Sequence, residues 1–179
     1  MRLFVGIPLN ETLKSNIRDA QEHMRPYILK GNFTDLNNLH LTLLFLGELN
    51  QEQLHQLDDA FKQGLRGEKA FHIQTGPLDA FLSGHERVVW QSIQKGMNEL
   101  KTLSSKIRDL VTSLGIPFDE KPFKAHITIA RHIRFIEPFQ LHQIDIKKAD
   151  NQVTQIHLYL SSRVQGRLTY TPLYTYPLG

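Results

Sequence analysis

Cysteine is absent from the 179 residues, which removes disulfide frameworks, thiolate catalysis, iron–sulfur ligation and every cysteine-containing zinc site. Sites built from histidine and carboxylate alone stay open. Also missing is any apolar run near the roughly 20 residues of a membrane span. The opening MRLFVGIPLNETL lacks the basic segment, longer apolar stretch and small-residue cleavage site of a signal peptide, so the expectation is a soluble cytoplasmic protein with no membrane partner. Charge of one sign is scarce: 21 Lys+Arg against 18 Asp+Glu leave +3, which permits an anionic partner without identifying one. The pair Lys147-Lys148 is too short to be a nucleic-acid module. What remains, 40% hydrophobic and 22% charged residues, is the composition of an ordinary globular chain with a sizeable core.

Apolar periodicity predicts a mixed α+β order. Arg2 to Leu9 reads as a strand ended by Pro8 and Asn10, and Leu13, Ile17, Ala20 and Met24 continue at helical spacing until Pro26, which cannot donate a backbone hydrogen bond. Leu39 to Leu46 is the next extended run, and Gln51 to Phe61 a second helix. Phe71 to Phe81 and Arg87 to Ile93 read as a hairpin, and Met97 to Leu114 as the longest helix. Lys124 to Ala130, Phe139 to Ile146, Gln155 to Ser161 and Leu168 to Tyr176 are further extended candidates. No Pro-, Gly- or Ser-rich linker divides the chain, so residues 1–179 are expected to form one domain of two interleaved lobes.

Two strands carry the chemistry. Leu39-His40-Leu41-Thr42-Leu43-Leu44 and Ala125-His126-Ile127-Thr128-Ile129-Ala130 each place His and Thr two residues apart, on one strand face about 7 Å from each other, with aliphatics on the other face. By composition a His-x-Thr with both aliphatic neighbours is expected only about 0.1 times, and it occurs twice. A histidine near its usual pKa of about 6.5 serves as base or acid, so a pair can remove a proton from one oxygen and deliver one to another. Thr hydroxyls suit nonbridging phosphate oxygens. The competing reading is that both histidines merely satisfy buried backbone carbonyls.

These tetrads, with Asn38 before the first, Phe45-Leu46-Gly47-Glu48 after it, Arg87-Val88-Val89-Trp90, and Pro122-Phe123-Lys124 before and Arg131 after the second, resemble the 2H phosphoesterase superfamily. More narrowly, they resemble the RNA 2′,3′-cyclic phosphodiesterase group, also called 2′-5′ RNA ligases. The segments Arg2 to Ile7, Ser161 to Gly166 and Tyr170 to Pro177 extend the likeness nearly end to end. The resemblance implies a bilobal α+β fold, two pseudo-symmetric lobes with antiparallel sheets lining a central cleft and helices outside, and no metal or other cofactor. It implies opening of a terminal RNA 2′,3′-cyclic phosphate to a 2′-phosphomonoester, with reversible ATP-independent 2′-5′ ligation in some members. On that likeness His126 is the general base and His40 the general acid, while Thr42 and Thr128 hold phosphoryl oxygens. The expected partner is RNA with a cyclic phosphate end, tRNA fragments and small cyclic nucleotides included, acted on by a monomer. Ala125 stands where the group commonly has Pro, Leu44 where a polar or basic residue is common, and Phe33 where tryptophan is common.

Other residues are weighed beside these. Arg131 lies five positions after His126, so an unbroken strand turns it away, and only a strand end or bulge brings it to phosphate. Lys124 shares the ideal face of His126 and could attract an anion. Phe33 and Trp90 offer stacking rings, Trp90 with core packing as the stronger alternative. Tyr170, Tyr174 and Tyr176 share one face of a regular strand, and Tyr170 is the candidate for an RNA-facing rim. His23, His55, His72, His85, His132, His142 and His157 are scattered and read as surface or local hydrogen-bonding groups. A metallohydrolase would need Asp119 or Glu120 to converge on the histidines. Gly64-Leu65-Arg66-Gly67-Glu68-Lys69 is wrongly spaced for a phosphate loop, so ATP-dependent ligation loses its simplest signature. Nonenzymatic RNA binding leaves the twin motif unexplained.

Overall fold

Nine strands divide between two antiparallel sheets in the computed structural model, which describes residues 1–179. One sheet holds β1 (Arg2–Pro8), β3 (His40–Glu48), β8 (Gln155–Val164) and β9 (Arg167–Pro177) in the order β3-β1-β8-β9. The other holds β2 (Ile28–Phe33), β4 (Phe71–Ser83), β5 (Glu86–Lys95), β6 (His126–Phe135) and β7 (Asp150–Val153) in the order β2-β6-β5-β4-β7. The two motif strands, β3 and β6, contact each other between the sheets. The architecture is bilobal α+β, and the lobes exchange elements, since the chain leaves the first sheet after β1, returns for β3, and returns again for β8 and β9.

The helices cover the outer faces. In α1 (Glu11–Met24), the Asn10 side chain accepts from the Leu13 amide and so satisfies an orphan donor of the first turn; Leu13, Ile17, Ala20 and Met24 form the buried stripe. Pro26 then sits in a 3-10 turn, Arg25–Tyr27. A reciprocal Asn50–Gln53 capping box starts α2 (Gln51–Gly64). Leu100, Leu103, Ile107 and Val111 are the buried stripe of α3 (Met97–Ser113). Helix α1 packs on β6 and α3 on β3, with α2 against α3 and β9. The aliphatics of the two motif strands, Leu41, Leu43, Ile127 and Ile129, join one continuous hydrophobic core beneath them.

Both motif strands break their alternation at the same offset from the histidine. Opposite β1, Gly6 pairs Thr42 but Val5 pairs Leu44, so β3 carries an extra residue there. Opposite β5, Trp90 pairs Thr128 but Val89 pairs Ala130, so β6 does the same. Two consecutive residues therefore face the core in each strand, Leu43 and Leu44 in one, Ile129 and Ala130 in the other, all buried. Each bulge is held by a helix side chain. Buried Gln21 of α1 donates through Nε2 to the Ile129 and Thr34 carbonyls, both at 3.0 Å, and buried Ser104 of α3 donates to the Leu43 carbonyl at 3.2 Å.

The expected strand over Phe139 to Ile146 does not form. Its backbone closes a 3-10 turn at Leu141–Gln143, with Ile144 N bonded to Leu141 O at 3.0 Å. The free edge of β4, which that segment would need, is taken by β7, and Ile144 and Ile146 still reach the core from irregular backbone. Strands β2 and β7 carry too little apolar alternation to be read from sequence. Both are edge strands whose pairing is decided by the neighbouring β6 and β4.

Gln21→Met keeps the volume of the side chain but removes the side-chain donor to the Thr34 carbonyl and one of the two donors to the Ile129 carbonyl, which keeps the Thr34 amide at 3.0 Å. The expected cost is about 1–3 kcal/mol, against about 1 kcal/mol for Ser104→Ala, which removes one neutral bond. Denaturant midpoints at constant m-value check both, and equal stability of Gln21→Met and wild type would refute the bulge-holding role.

Candidate active site

Each motif histidine is anchored by one ring nitrogen. His40 Nδ1 lies 2.7 Å from the Asn38 carbonyl, and His126 Nδ1 lies 2.6 Å from the Lys124 carbonyl. A carbonyl oxygen only accepts, so each Nδ1 carries the hydrogen and each neutral ring leaves Nε2 bare. Nε2 of His40 sits 2.8 Å from Thr42 Oγ1, whose hydroxyl donates to it. One nitrogen of each ring thus satisfies a backbone carbonyl, as the competing reading expected, and Nε2 is left without a proton. Asn38 does more than supply its carbonyl: its buried amide donates to Leu168 O at 2.8 Å and accepts from Tyr170 N at 3.0 Å, tying β9 to the segment that sets His40.

Aromatic rings enclose both imidazoles. Phe4, Tyr159 and Tyr170 surround His40 with centroid distances of 4.7, 5.9 and 5.2 Å. Phe81 and Trp90 meet His126 edge-on at 5.4 and 5.9 Å. The enclosures occupy matching places, because Gly6 lies opposite Thr42 where Trp90 lies opposite Thr128. Gly6 suits this close approach: a Cβ would stand 3.2 Å from the Leu41 carbonyl oxygen and 3.3 Å from the rings of both His40 and Tyr159. Tyr159 and Phe81 lie outside the segments that carry the family likeness and Phe4 and Gly6 within one of them, and strand pairing brings all four to the histidines.

The bulge after Thr128 turns Arg131 back onto the histidine face, where it is exposed and pairs with no carboxylate. Five residues after His40, Phe45 takes the corresponding place and is 47% exposed, so the cleft carries a cation on one wall and a bare ring on the other. Tyr170 and Arg131 line one cavity of about 640 Å³ together with Phe4 and Phe45. Thr42, His126 and Lys124 line an adjoining one of about 200 Å³. The Lys124 ammonium rests over the Phe81 and Trp90 faces at 4.4 and 4.7 Å. Thr128 flanks His126 on the same strand face, partly buried.

Phe33 is not brought to this group. It pairs Ala130 rather than Arg131, packs on the core and lies under the Arg25 guanidinium at 4.9 Å. Tyr174 and Tyr176 also leave the face of Tyr170, because the pairing of β8 with β9 shifts between Leu158 and Tyr159. Tyr176 instead donates its hydroxyl to buried Asp58 of α2 at 2.9 Å. Trp90 is 5% exposed and stacks on Phe81 at 4.9 Å, a packing residue that borders the site. His132 binds Glu86 at 2.8 Å and His157 binds Thr175 at 2.8 Å, local roles as expected. No three His, Asp or Glu side chains converge where a cation could sit, and neither Asp119 nor Glu120 joins the histidine pair in such a group.

The profile of the 2′-5′ RNA ligase superfamily matches residues 13–165. The chain belongs to this superfamily. Among its relatives, the RNA 2′,3′-cyclic phosphodiesterase of Escherichia coli (strain K12) is 30% identical over 173 residues, 96% of this chain and 93% of its own length. That of Thermotoga maritima is 25% identical over 97% of this chain and 94% of its own. TT0787 of Thermus thermophilus superposes with a TM-score of 0.81 at 28% identity, covering 99% of this chain and 98% of its own. E. coli LigT complexed with 3′-AMP superposes with a TM-score of 0.81 at 30% identity over 99% and 97%. Within the 2H phosphoesterases the chain therefore falls in the RNA 2′,3′-cyclic phosphodiesterase, or LigT, group.

Electrostatics set the resting state of this 2H site. Burial pushes His40 down to about 4, against the Asn38 bond, and the Arg131 and His126 charges push in the same direction as burial. His126 is lowered chiefly by burial and further by Arg131 and Lys124. Both shifts run downward from 6.5, so both rings are neutral at pH 7. An anion placed beside an imidazole favours its charged form and so raises its pKa.

The His40 ring is accordingly expected to stay neutral, in the Nδ1–H form, until the pH falls to about 4, and to titrate at higher pH once inorganic phosphate fills the cleft. Long-range ¹H–¹⁵N correlation spectra read both the tautomer and the midpoint. A midpoint near 6.5 in the free protein, or no upward movement with phosphate, would contradict this account.

Proposed function

We propose that this protein hydrolyses the terminal 2′,3′-cyclic phosphate of RNA to a 2′-phosphomonoester by acid–base catalysis from His40 and His126. The observation that carries the reading is the pair of Nε2 atoms, each left unprotonated by an Nδ1–carbonyl anchor, that of His40 held by the Thr42 hydroxyl, beside an arginine with no protein partner. The names borne by relatives covering almost the whole chain support the substrate class.

Water attacks phosphorus and gives its proton to Nε2 of His126 as the new P–O bond forms. The P–O3′ bond breaks, and Nε2–H of His40 delivers its proton to the departing O3′, leaving phosphate on O2′. His40 becomes charged only with the anionic substrate in place, so binding prepares the acid. At that moment its Nε2 no longer needs the Thr42 hydroxyl, which is released to a nonbridging oxygen; Thr128 and Arg131 hold the others. No step calls on a metal, because these donors carry the phosphoryl charge. Tyr170 and Lys124 border the two ends of the cleft and meet the RNA. With a 5′-hydroxyl in place of water the same geometry forms a 2′-5′ phosphodiester, and the reverse reaction cleaves it.

His40→Ala and His126→Ala are each expected to lower turnover of a cyclic-phosphate RNA by about 10²–10⁴, assayed with chelator present and with 2′- and 3′-monophosphate products resolved. A 3′-monophosphate product would reverse the leaving group, and near-normal turnover by folded His126→Ala would remove the base. Protein that keeps its RNA affinity but shows no turnover, wild type included, would make this a binding protein.

The pH profile has a definite sign. Loss of the His40 proton removes the acid, so activity falls as pH rises through its pKa. That pKa is low in the free enzyme and higher with substrate bound, so the alkaline limb of kcat is expected at higher pH than that of kcat/KM. Coincident limbs would mean that the substrate does not charge His40.

A further inference from the structure

The cleft has two chemically different ends, and the mechanism assigns each a side of the phosphorus. In an in-line displacement the entering and leaving oxygens lie on opposite sides of phosphorus. The leaving O3′ belongs to His40, whose neighbours Phe4 and Tyr170 line the cavity of about 640 Å³. That end is large and rich in rings, and suits the nucleoside that keeps the phosphate. The entering oxygen belongs to His126, which lines the cavity of about 200 Å³. Water needs no walls of a particular charge, yet this second cavity has three cations, Arg108, Lys121 and Lys124, against one carboxylate, Asp119.

The cations are not consumed by protein contacts. The Arg108 guanidinium donates to the Lys121 carbonyl and lies 5.4 Å from the Phe118 ring centre, which fixes its position without neutralising it. Lys124 is held over two aromatic faces, where a cation keeps its full charge. Lys121 is 3.6 Å from Asp119, its own side chain 86% exposed, so that pairing is weak. Asp119 is further engaged by the Lys121 amide at 3.1 Å, and its own amide bonds the Phe45 carbonyl at 2.9 Å. These bonds pin the loop beside the bulge of β3 and hold the cations next to His126.

We infer that the cavity lined by Arg108, Lys121 and Lys124 is an acceptor subsite for the 5′-hydroxyl end of a polynucleotide, with the cations binding the first phosphodiester beyond that hydroxyl. The inference rests on the orientation given above, with His126 on the entering side. In the transfer, O5′ of the acceptor bonds to phosphorus, its proton passes to His126 Nε2, the P–O3′ bond breaks, and O3′ takes the His40 proton. One 2′-5′ phosphodiester forms and no other reactant is needed. A bare nucleoside offers the hydroxyl without the phosphate, so the subsite distinguishes a polynucleotide end from a nucleoside.

The test compares adenylyl-3′,5′-adenosine, which has a free 5′-hydroxyl and one internal phosphate, with adenosine. Binding of each to the whole protein is followed by NMR titration, and each is added to a reaction with adenosine 2′,3′-cyclic phosphate as donor. The dinucleotide is expected to bind about tenfold more tightly than adenosine at low salt, to compete with water and to accept the phosphoryl group. Lys121→Glu, at an exposed position where folding is not at stake, and 0.2 M salt should each reduce that preference to about twofold or less. Arg108→Lys should retain most of it, since the charge stays. Equal binding of dinucleotide and adenosine, or a preference unchanged in Lys121→Glu, would overturn the inference. Absence of donor hydrolysis by wild type would instead defeat the catalytic reading, while the binding arm still decides whether the cations select a phosphate.

Discussion

The cleft depends on a broken strand period. A β-strand sends alternate side chains to opposite faces, so His, Thr and the residue five places after the histidine cannot share a face unless one residue is added between them. In β3 and β6 the added residue comes three to four positions after the histidine, and a donor from the covering helix, Ser104 or Gln21, secures it through the carbonyl. The bulge has two effects at once. Two consecutive aliphatics enter the core, and the next side chain, Phe45 or Arg131, is delivered to the cleft. The helices that bury the strands thereby also set the contents of the site.

The same construction is used twice, but the side chains placed on it differ. One lobe puts Gly6 beside its threonine and fills the space with His40 and Tyr159; the other puts Trp90 there and caps it with Phe81 and Lys124. One delivers a ring at the bulge and the other a guanidinium. A symmetric scaffold thus holds an asymmetric cleft, with its deeper histidine enclosed by aromatics and its shallower one beside cations. For a displacement at phosphorus that asymmetry matters, because the entering and leaving oxygens need opposite proton transfers. Desolvation holds both imidazoles below their usual pKa, and in the proposed mechanism the anionic substrate opposes that shift at the acid.

The two His-x-Thr pairs were legible in the sequence because their signal is local. His40 with Thr42 and His126 with Thr128 need only the two-residue period of a strand, and the aliphatics between them report which face is buried. Helices α1 to α3 were legible for the same reason, from apolar spacing and from caps such as Asn10 and Asn50. The strand expected over Phe139 to Ile146 was not borne out, since alternation shows only that side chains point inward and says nothing of a vacant sheet edge. Phe33, close to His40 in sequence, was drawn by strand pairing toward Ala130 and the core. Tyr174 and Tyr176 followed a shift of register that tyrosine spacing does not reveal.

The sequence by itself determined the class of chemistry: two histidines and two threonines repeated on strands, with no cysteine to compete, and residues close enough along the chain for short-range geometry to relate them. Only the tertiary structure decided what surrounds those groups. The rings from β1, β4, β8 and β9, the β9 backbone that Asn38 holds, and the α1 and β5 partners of the bulge before Arg131 come from distant parts of the chain; Lys124 and Arg131 are near His126 in sequence, but these partners set where they stand. Their effects on an imidazole are through space, by desolvation and charge, and both depend on distance after folding, which spacing along a chain does not encode.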